Sequence, residues 1–62
     1  MTRYSFDGLK TFTSLERAAQ WAVDGDEIEQ ELYILEAGEL YPLSDAEYDE
    51  YATWRTEYIL PL

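Results

Sequence analysis

Two helix-start signals divide this sequence into similar halves and constrain its fold more than any other feature. Thr13-Ser14-Leu15-Glu16 and Ser44-Asp45-Ala46-Glu47 both match the capping box, where a hydroxyl and a glutamate three residues later satisfy orphan amides at a helix start. Strand and turn chemistry precedes each of them. In the first half, Thr2 to Phe6 reads as a short strand with Tyr4 and Phe6 on one face. Asp7-Gly8 reads as a two-residue hairpin turn, and Leu9 to Phe12 as the return strand. The helix that follows is expected to start on a Thr13–Glu16 box and reach about Val23. Leu15, Ala18, Ala19 and Ala22 fall on one face, where the alanines allow close approach to a sheet, and Trp21 lies off its centre. Asp24-Gly25 ends the helix.

The second half repeats the layout. Residues 27–35 alternate, with Ile28, Leu32 and Ile34 on one side and Glu27, Glu29, Glu31, Tyr33 and Leu35 on the other, which predicts a strand despite the poor strand propensity of glutamate. Glu36-Ala37-Gly38-Glu39 predicts a turn, and Leu40 to Leu43 a strand that Pro42 restricts to a sheet edge. A final helix is expected over roughly 45–59, stopped by Pro61. Its Trp54, Tyr58, Tyr51, Arg55, Tyr48, Ile59 and Ala52 share one arc, the expected core face. Asp45, Thr56, Asp49, Thr53, Glu57 and Glu50 share the opposite arc, and Glu47 alone breaks the division. The expected fold is a single α+β domain over residues 1–62, ordered ββαββα, with helices packed on a mostly antiparallel sheet.

What such a domain can do is narrowed by what it lacks. At 62 residues its core is thin, and no cysteine is present to staple it, ligate zinc or act as a nucleophile. No histidine supplies a general base near neutral pH or a metal ligand. The three glycines are isolated at turns, so no phosphate-cradling loop exists, and a chain this short rarely encloses the cleft that paired carboxylates need for acid–base work. Asp24-Gly25-Asp26-Glu27 begins like a calcium loop, but Ile28 and Glu29 stand where that pattern needs Asp or Asn and then Gly. No enzymatic activity and no cofactor are expected. No apolar run is long enough for a membrane span, and no signal-peptide pattern follows Met1. A soluble, cytoplasmic protein starting at its natural methionine is expected.

Charge is the more informative property. Fourteen acids against four bases give a net charge of -10, and twelve of the acids, with Arg55 as the lone base, lie in residues 24–62. Nucleic acids and anionic membranes would be repelled, so the expected partners are basic proteins. On a strand, Glu27, Glu29 and Glu31 would project about 6.8 Å apart in a straight row with Tyr33 beside them as an anchor for arginine. On the last helix, Asp45 and Asp49 are neighbours, and Glu50 adds to the same acidic face. These seven residues are the expected partner-binding set. A row of fixed negative charges resembles the charge track of a nucleic-acid backbone. Like charges so close are mutually destabilising, so mild acidification is expected to firm the fold.

A small, acidic, cysteine-free and tyrosine-rich chain resembles the inhibitors that bacteriophages encode against host machinery: DNA mimics, anti-CRISPR proteins and inhibitors of RNA polymerase. The segment Phe12-Thr13-Ser14-Leu15-Glu16-Arg17-Ala18-Ala19-Gln20-Trp21-Ala22 is similar to the strand-to-helix segment of a small phage inhibitor of bacterial RNA polymerase. The resemblance implies a non-enzymatic inhibitor, acting in the host cytoplasm, that blocks the groove of a basic nucleic-acid-binding protein such as a CRISPR effector, a restriction enzyme or RNA polymerase. The alternative is a protein-recognition module of antitoxin, immunity or adaptor type, binding through an aromatic patch while its charge serves solubility.

Overall fold

Strands and helices follow one another as β1 (Arg3–Ser5), β2 (Thr11–Phe12), α1 (Leu15–Asp24), β3 (Tyr33–Glu36), β4 (Glu39–Pro42) and α2 (Asp45–Ile59). The structure, a computed structural model, describes residues 2–59; Met1 and the expected helix stop at Pro61 lie outside the described residues. All pairings are antiparallel in one sheet of order β2-β1-β3-β4, so the domain is the expected α+β fold with ββαββα order. β1 is central and meets β3 through the pairs Arg3–Leu35, Tyr4–Ile34 and Ser5–Tyr33.

The core lies between one face of the sheet and the two helices. Tyr4, Phe6, Phe12, Leu15, Ala18, Ala19, Ala22, Leu32 and Tyr51 are buried, and Trp21, Ile28, Ile34, Leu43, Trp54 and Tyr58 pack around them. Phe6 is the junction, with ring centroids 5.9 Å from Phe12, 5.2 Å from Trp21 and 6.2 Å from Tyr51. Ala18, Ala19 and Ala22 are fully buried, as their spacing implies, but the main neighbour of α1 is α2 rather than the sheet. A hydrogen bond from the Tyr58 hydroxyl to Glu16 (3.0 Å) ties the two helices.

Local chemistry explains where the elements begin and end. At α2 the capping box is complete: the Ser44 amide donates to Glu47 Oε1 (3.1 Å) and the Glu47 amide to Ser44 Oγ (3.2 Å). The second oxygen of Glu47 accepts from the Tyr4 hydroxyl at 3.2 Å, which is why this glutamate interrupts the apolar arc. At α1 the cap is Ser14, not Thr13; its hydroxyl accepts from the Arg17 amide (3.2 Å). Both residues carry a suitable hydroxyl, and capping one position later leaves Glu16 too near the start to close a box. Gly25 ends the helix, its amide reaching Trp21 O at 2.9 Å. Ala37 and Gly38 take positive φ between the paired Glu36 and Glu39, a two-residue hairpin.

The first turn is longer than expected. β2 contains only Thr11 and Phe12, and Ser5 pairs with Thr11, so residues 6–10 form the loop instead of Asp7-Gly8 alone. Side chains outcompete the hairpin here. The buried Ser5 hydroxyl accepts from Gly8 N (2.8 Å) and donates to Lys10 O (2.7 Å). One carboxylate oxygen of Asp7 accepts from the amides of Leu9 (2.8 Å) and Lys10 (3.1 Å).

Those hydrogen bonds oppose the expected firming of the fold by acid. The Leu9 and Lys10 amides hold the Asp7 carboxyl below its ordinary value, and the Ser44 amide and hydroxyl do the same for Glu47. A carboxyl whose pKa is lower folded than unfolded contributes stability above the unfolded value and loses it as pH falls through the folded one. The melting temperature is therefore expected to hold from neutral pH to about 5 and to drop below about 4, the ordinary carboxyl range. A rise on acidification through this range would show that relief of repulsion elsewhere dominates.

Candidate functional site: an acidic groove beside the second helix

The sheet does not extend back to Glu27. β1 offers β3 only three partners, and the chain upstream of Tyr33 curls away from the ladder. Asp26 takes positive φ, the Glu27 amide returns to Ala22 O (2.7 Å) and the Gln30 amide to Glu27 O (3.1 Å). The straight row of Glu27, Glu29 and Glu31 is thus absent. The alternation survives in part: Leu32 is buried, and Ile28 and Ile34 pack against the core. An i, i+4 pair such as Ile28 and Leu32 suits a turn as well as a strand.

The curl builds a different surface. Residues 28–33 form one wall of an open groove of about 750 Å³, and the N-terminal half of α2, with Pro42 and Leu43 before it, forms the other. Glu29 and Glu31 reach it from the first wall, and Asp45 and Asp49 from the second. Tyr33, Tyr48 and Tyr51 are its aromatic lining. Five of the seven expected binding residues, Glu29, Glu31, Tyr33, Asp45 and Asp49, therefore meet in one place.

The other two do not. Glu27 is half-buried in its own turn and accepts from the Gln30 side chain. Glu50 is exposed away from the groove, 3.4 Å from the Trp54 indole nitrogen.

Tyr33 is half-buried, and its hydroxyl donates to Glu31 Oε2 at 2.7 Å. The bond fixes the carboxylate, and the negative acceptor raises the pKa of the phenol. Tyr48, expected in the core, is instead 53% exposed, while Tyr51 is buried and Trp54 and Tyr58 pack at the core margin. Ile59 is likewise exposed at the far end of the helix. Tyr41, on the edge strand, is exposed and bonds its neighbour Glu39 (3.3 Å).

Besides Tyr48, two more residues of the groove, Tyr51 and Arg55, come from the helix arc assigned to the core. Arg55 donates to the Ile28 carbonyl (3.1 Å), pinning the curl to α2, and its guanidinium lies 4.8 Å from the Tyr51 ring centroid. Tyr51 has 1% of its surface exposed, and among the described residues its hydroxyl has no hydrogen-bond partner. Burial raises the pKa of this phenol, and the neighbouring Arg55 guanidinium opposes the shift both by its charge and as a nearby donor. An orphan buried hydroxyl costs about 1–3 kcal/mol, so its retention needs a reason. The sequence signal for Arg55 is its isolation as the single base among twelve acids in residues 24–62.

The groove holds carboxylates, phenols and one guanidinium, a set suited to gripping cations and hydrogen-bond donors. Among the described residues, no three or more acids are gathered as a metal-binding group, and no helix is long and apolar enough to cross a membrane. Asp24 and Asp26, the calcium-like pair, are exposed beside the end of α1. No protein-family model matches the chain, and neither does any curated protein or solved structure.

Proposed function

We propose that this chain is a non-enzymatic inhibitor that binds a basic, nucleic-acid-handling protein through the acidic groove and its rim. The observation that carries the reading is the convergence of Glu29, Glu31, Asp45 and Asp49 on one concavity from two separate parts of the chain. All four lie in a domain with only four bases to offset fourteen acids, so the groove adds its charge to a strongly negative field. A basic partner draws steering and affinity from that field. With the straight row gone, likeness to a nucleic acid rests on charge density rather than on regular spacing. Blocking then works by seizing a basic element of the target's binding surface.

The test has two stages. Proteins captured from a bacterial lysate are identified, and the chain is titrated against each one carrying bound DNA or RNA. Displacement of the nucleic acid, weakening steeply as salt rises, is the expected result, since exposed ion pairs are screened within about 8–10 Å. Neutralising Glu29, Glu31 and Asp49 together (Gln, Gln and Asn) is expected to weaken binding at least about tenfold, with slower association. The same treatment of Glu27 and Glu50 should change it by less than about threefold. Equal binding by the groove variant would sink the proposal.

A second reading, recognition through an aromatic patch, is favoured by the exposure of Tyr48 at the groove and of Tyr41 on the edge strand. It requires binding that is nearly indifferent to salt and sensitive to Tyr48→Ala.

A further inference from the structure

The geometry points to a more specific ligand for the groove: the guanidinium group of an arginine side chain presented by the partner, in preference to a lysine ammonium. The inference rests on the binding role proposed above and specifies its chemistry.

Three observations carry it. The first is the pairing of acceptors with rings. Glu29, Glu31, Asp45 and Asp49 share the groove with Tyr33 and Tyr48. A planar guanidinium takes carboxylates two donors at a time and stacks on phenol rings, whereas an ammonium is a compact, strongly hydrated charge that uses neither property fully. Glu31 is already held by the Tyr33 hydroxyl, so one acceptor is oriented before any ligand arrives.

The second is that the groove already holds one guanidinium. Arg55 lies over the Tyr51 ring and donates to the Ile28 carbonyl. It shows in this molecule the combination of ring face and oxygen acceptor that an incoming arginine would use. Its hydrogen bond goes to a carbonyl, which leaves the carboxylates of the groove for a second cation.

The third is independent of the acids. Tyr51 lines the groove, is almost wholly buried, and carries a hydroxyl that makes no hydrogen bond of good geometry among the described residues, although the Arg55 guanidinium lies near it. A phenol oxygen can accept a hydrogen bond, and a guanidinium brings five N–H donors in a fixed fork, so one paired with a carboxylate still has donors to spare. An arginine entering deeply, with a small shift of Arg55, would complete the hydroxyl. A lysine held at the mouth by charge alone would not.

The experiment uses the whole chain and two probes: a short Gly–Ser peptide carrying several arginines, and its twin with lysines at the same positions. Binding is followed by the NMR shifts of the tyrosine rings at low ionic strength. The arginine peptide is expected to bind roughly tenfold more tightly than its twin, with Tyr51 among the shifted rings. In Tyr51→Phe, which keeps the ring, the preference should shrink to about twofold, with no fall in melting temperature. Asp49→Asn, an exposed change, should weaken the arginine peptide more than the lysine one, and it decides the matter if Tyr51→Phe does not fold.

Equal binding of the twins overturns the inference, as does an arginine preference that survives Tyr51→Phe intact. So does tight binding of a simple polyamine that displaces the arginine peptide at equal concentration. The outcome separates from that of the inhibitor reading. Arginine selectivity without displacement of nucleic acid from any captured protein leaves this inference standing and removes the inhibitor. Displacement without arginine selectivity does the reverse.

Discussion

Replacing Tyr51 with alanine is expected to remove a large part of the stability of the protein. Tyr51 is the largest fully buried side chain among the described residues and touches both Phe6 and Arg55. Truncating a buried aromatic costs about 3–5 kcal/mol, the lost transfer energy plus the cavity left behind. A domain of this length has only about 3–9 kcal/mol in total, at roughly 0.05–0.15 kcal/mol per residue. Tyr51→Phe should go the other way. It keeps the ring and removes the unpaired hydroxyl, so a gain of about 1 kcal/mol is expected. Denaturant unfolding of the two variants checks both signs. Were Tyr51→Phe clearly less stable than wild type, the hydroxyl would have a partner in solution that the structure does not contain.

Ser5→Ala should have the next largest effect, which is unusual for a serine. The side chain is fully buried, and its hydroxyl serves two backbone groups of the 6–10 loop, Gly8 N and Lys10 O. Alanine deprives both of their partner, at about 1–3 kcal/mol for each group that water does not reach. A total loss of about 2–4 kcal/mol is expected, accompanied by faster amide exchange at Gly8. Asp7 still holds the amides of Leu9 and Lys10 in the variant, so exchange there should change less. A stability change below about 0.5 kcal/mol, with unaltered exchange at Gly8, would mean that the loop is already open to solvent.

Local rules made much of the fold legible. The α2 start, the Ala37-Gly38 hairpin, the Pro42 edge strand and the buried alanine face of α1 each depend on residues close in sequence, and each is found where those residues place it. The misplacements have a common cause: two local solutions of similar cost, decided by distant packing. Thr13 and Ser14 can both cap. Asp7-Gly8 can make a tight hairpin, but Ser5 and Asp7 side chains supply the loop amides with other acceptors. Residues 27–32 can alternate as a strand, but β1 is too short to pair with them, and Arg55 reaches across to hold Ile28 in the curl.

The groove was legible as a set of residues and not as a shape. Charge and aromatic content picked out Glu29, Glu31, Tyr33, Asp45 and Asp49, which do meet. That they meet around Tyr51 and Arg55 could not be read from a helix arc, because the same arc serves both for packing and for lining a groove. Glu27 and Glu50 fit the pattern of charge equally well, yet a turn and a helix rotation direct them elsewhere.

The ladder between β1 and β3 sets an order of events in folding. Apart from it, each half of the chain is assembled from near neighbours: a loop-closed strand pair and a helix, then a hairpin and a second helix. Tyr4 can meet Ile34 only after the intervening chain has been gathered in, an entropic cost that local contacts do not bear. The two strand–strand–helix leaves can therefore form early, and the three-pair seam, together with the α1–α2 contact, is expected to be the clasp that closes last. The groove wall runs directly into this clasp at Tyr33, so an occupant of the proposed kind, gripping residues 29–31, would also slow its reopening. Capture of the proposed partner would then also lengthen the lifetime of the fold.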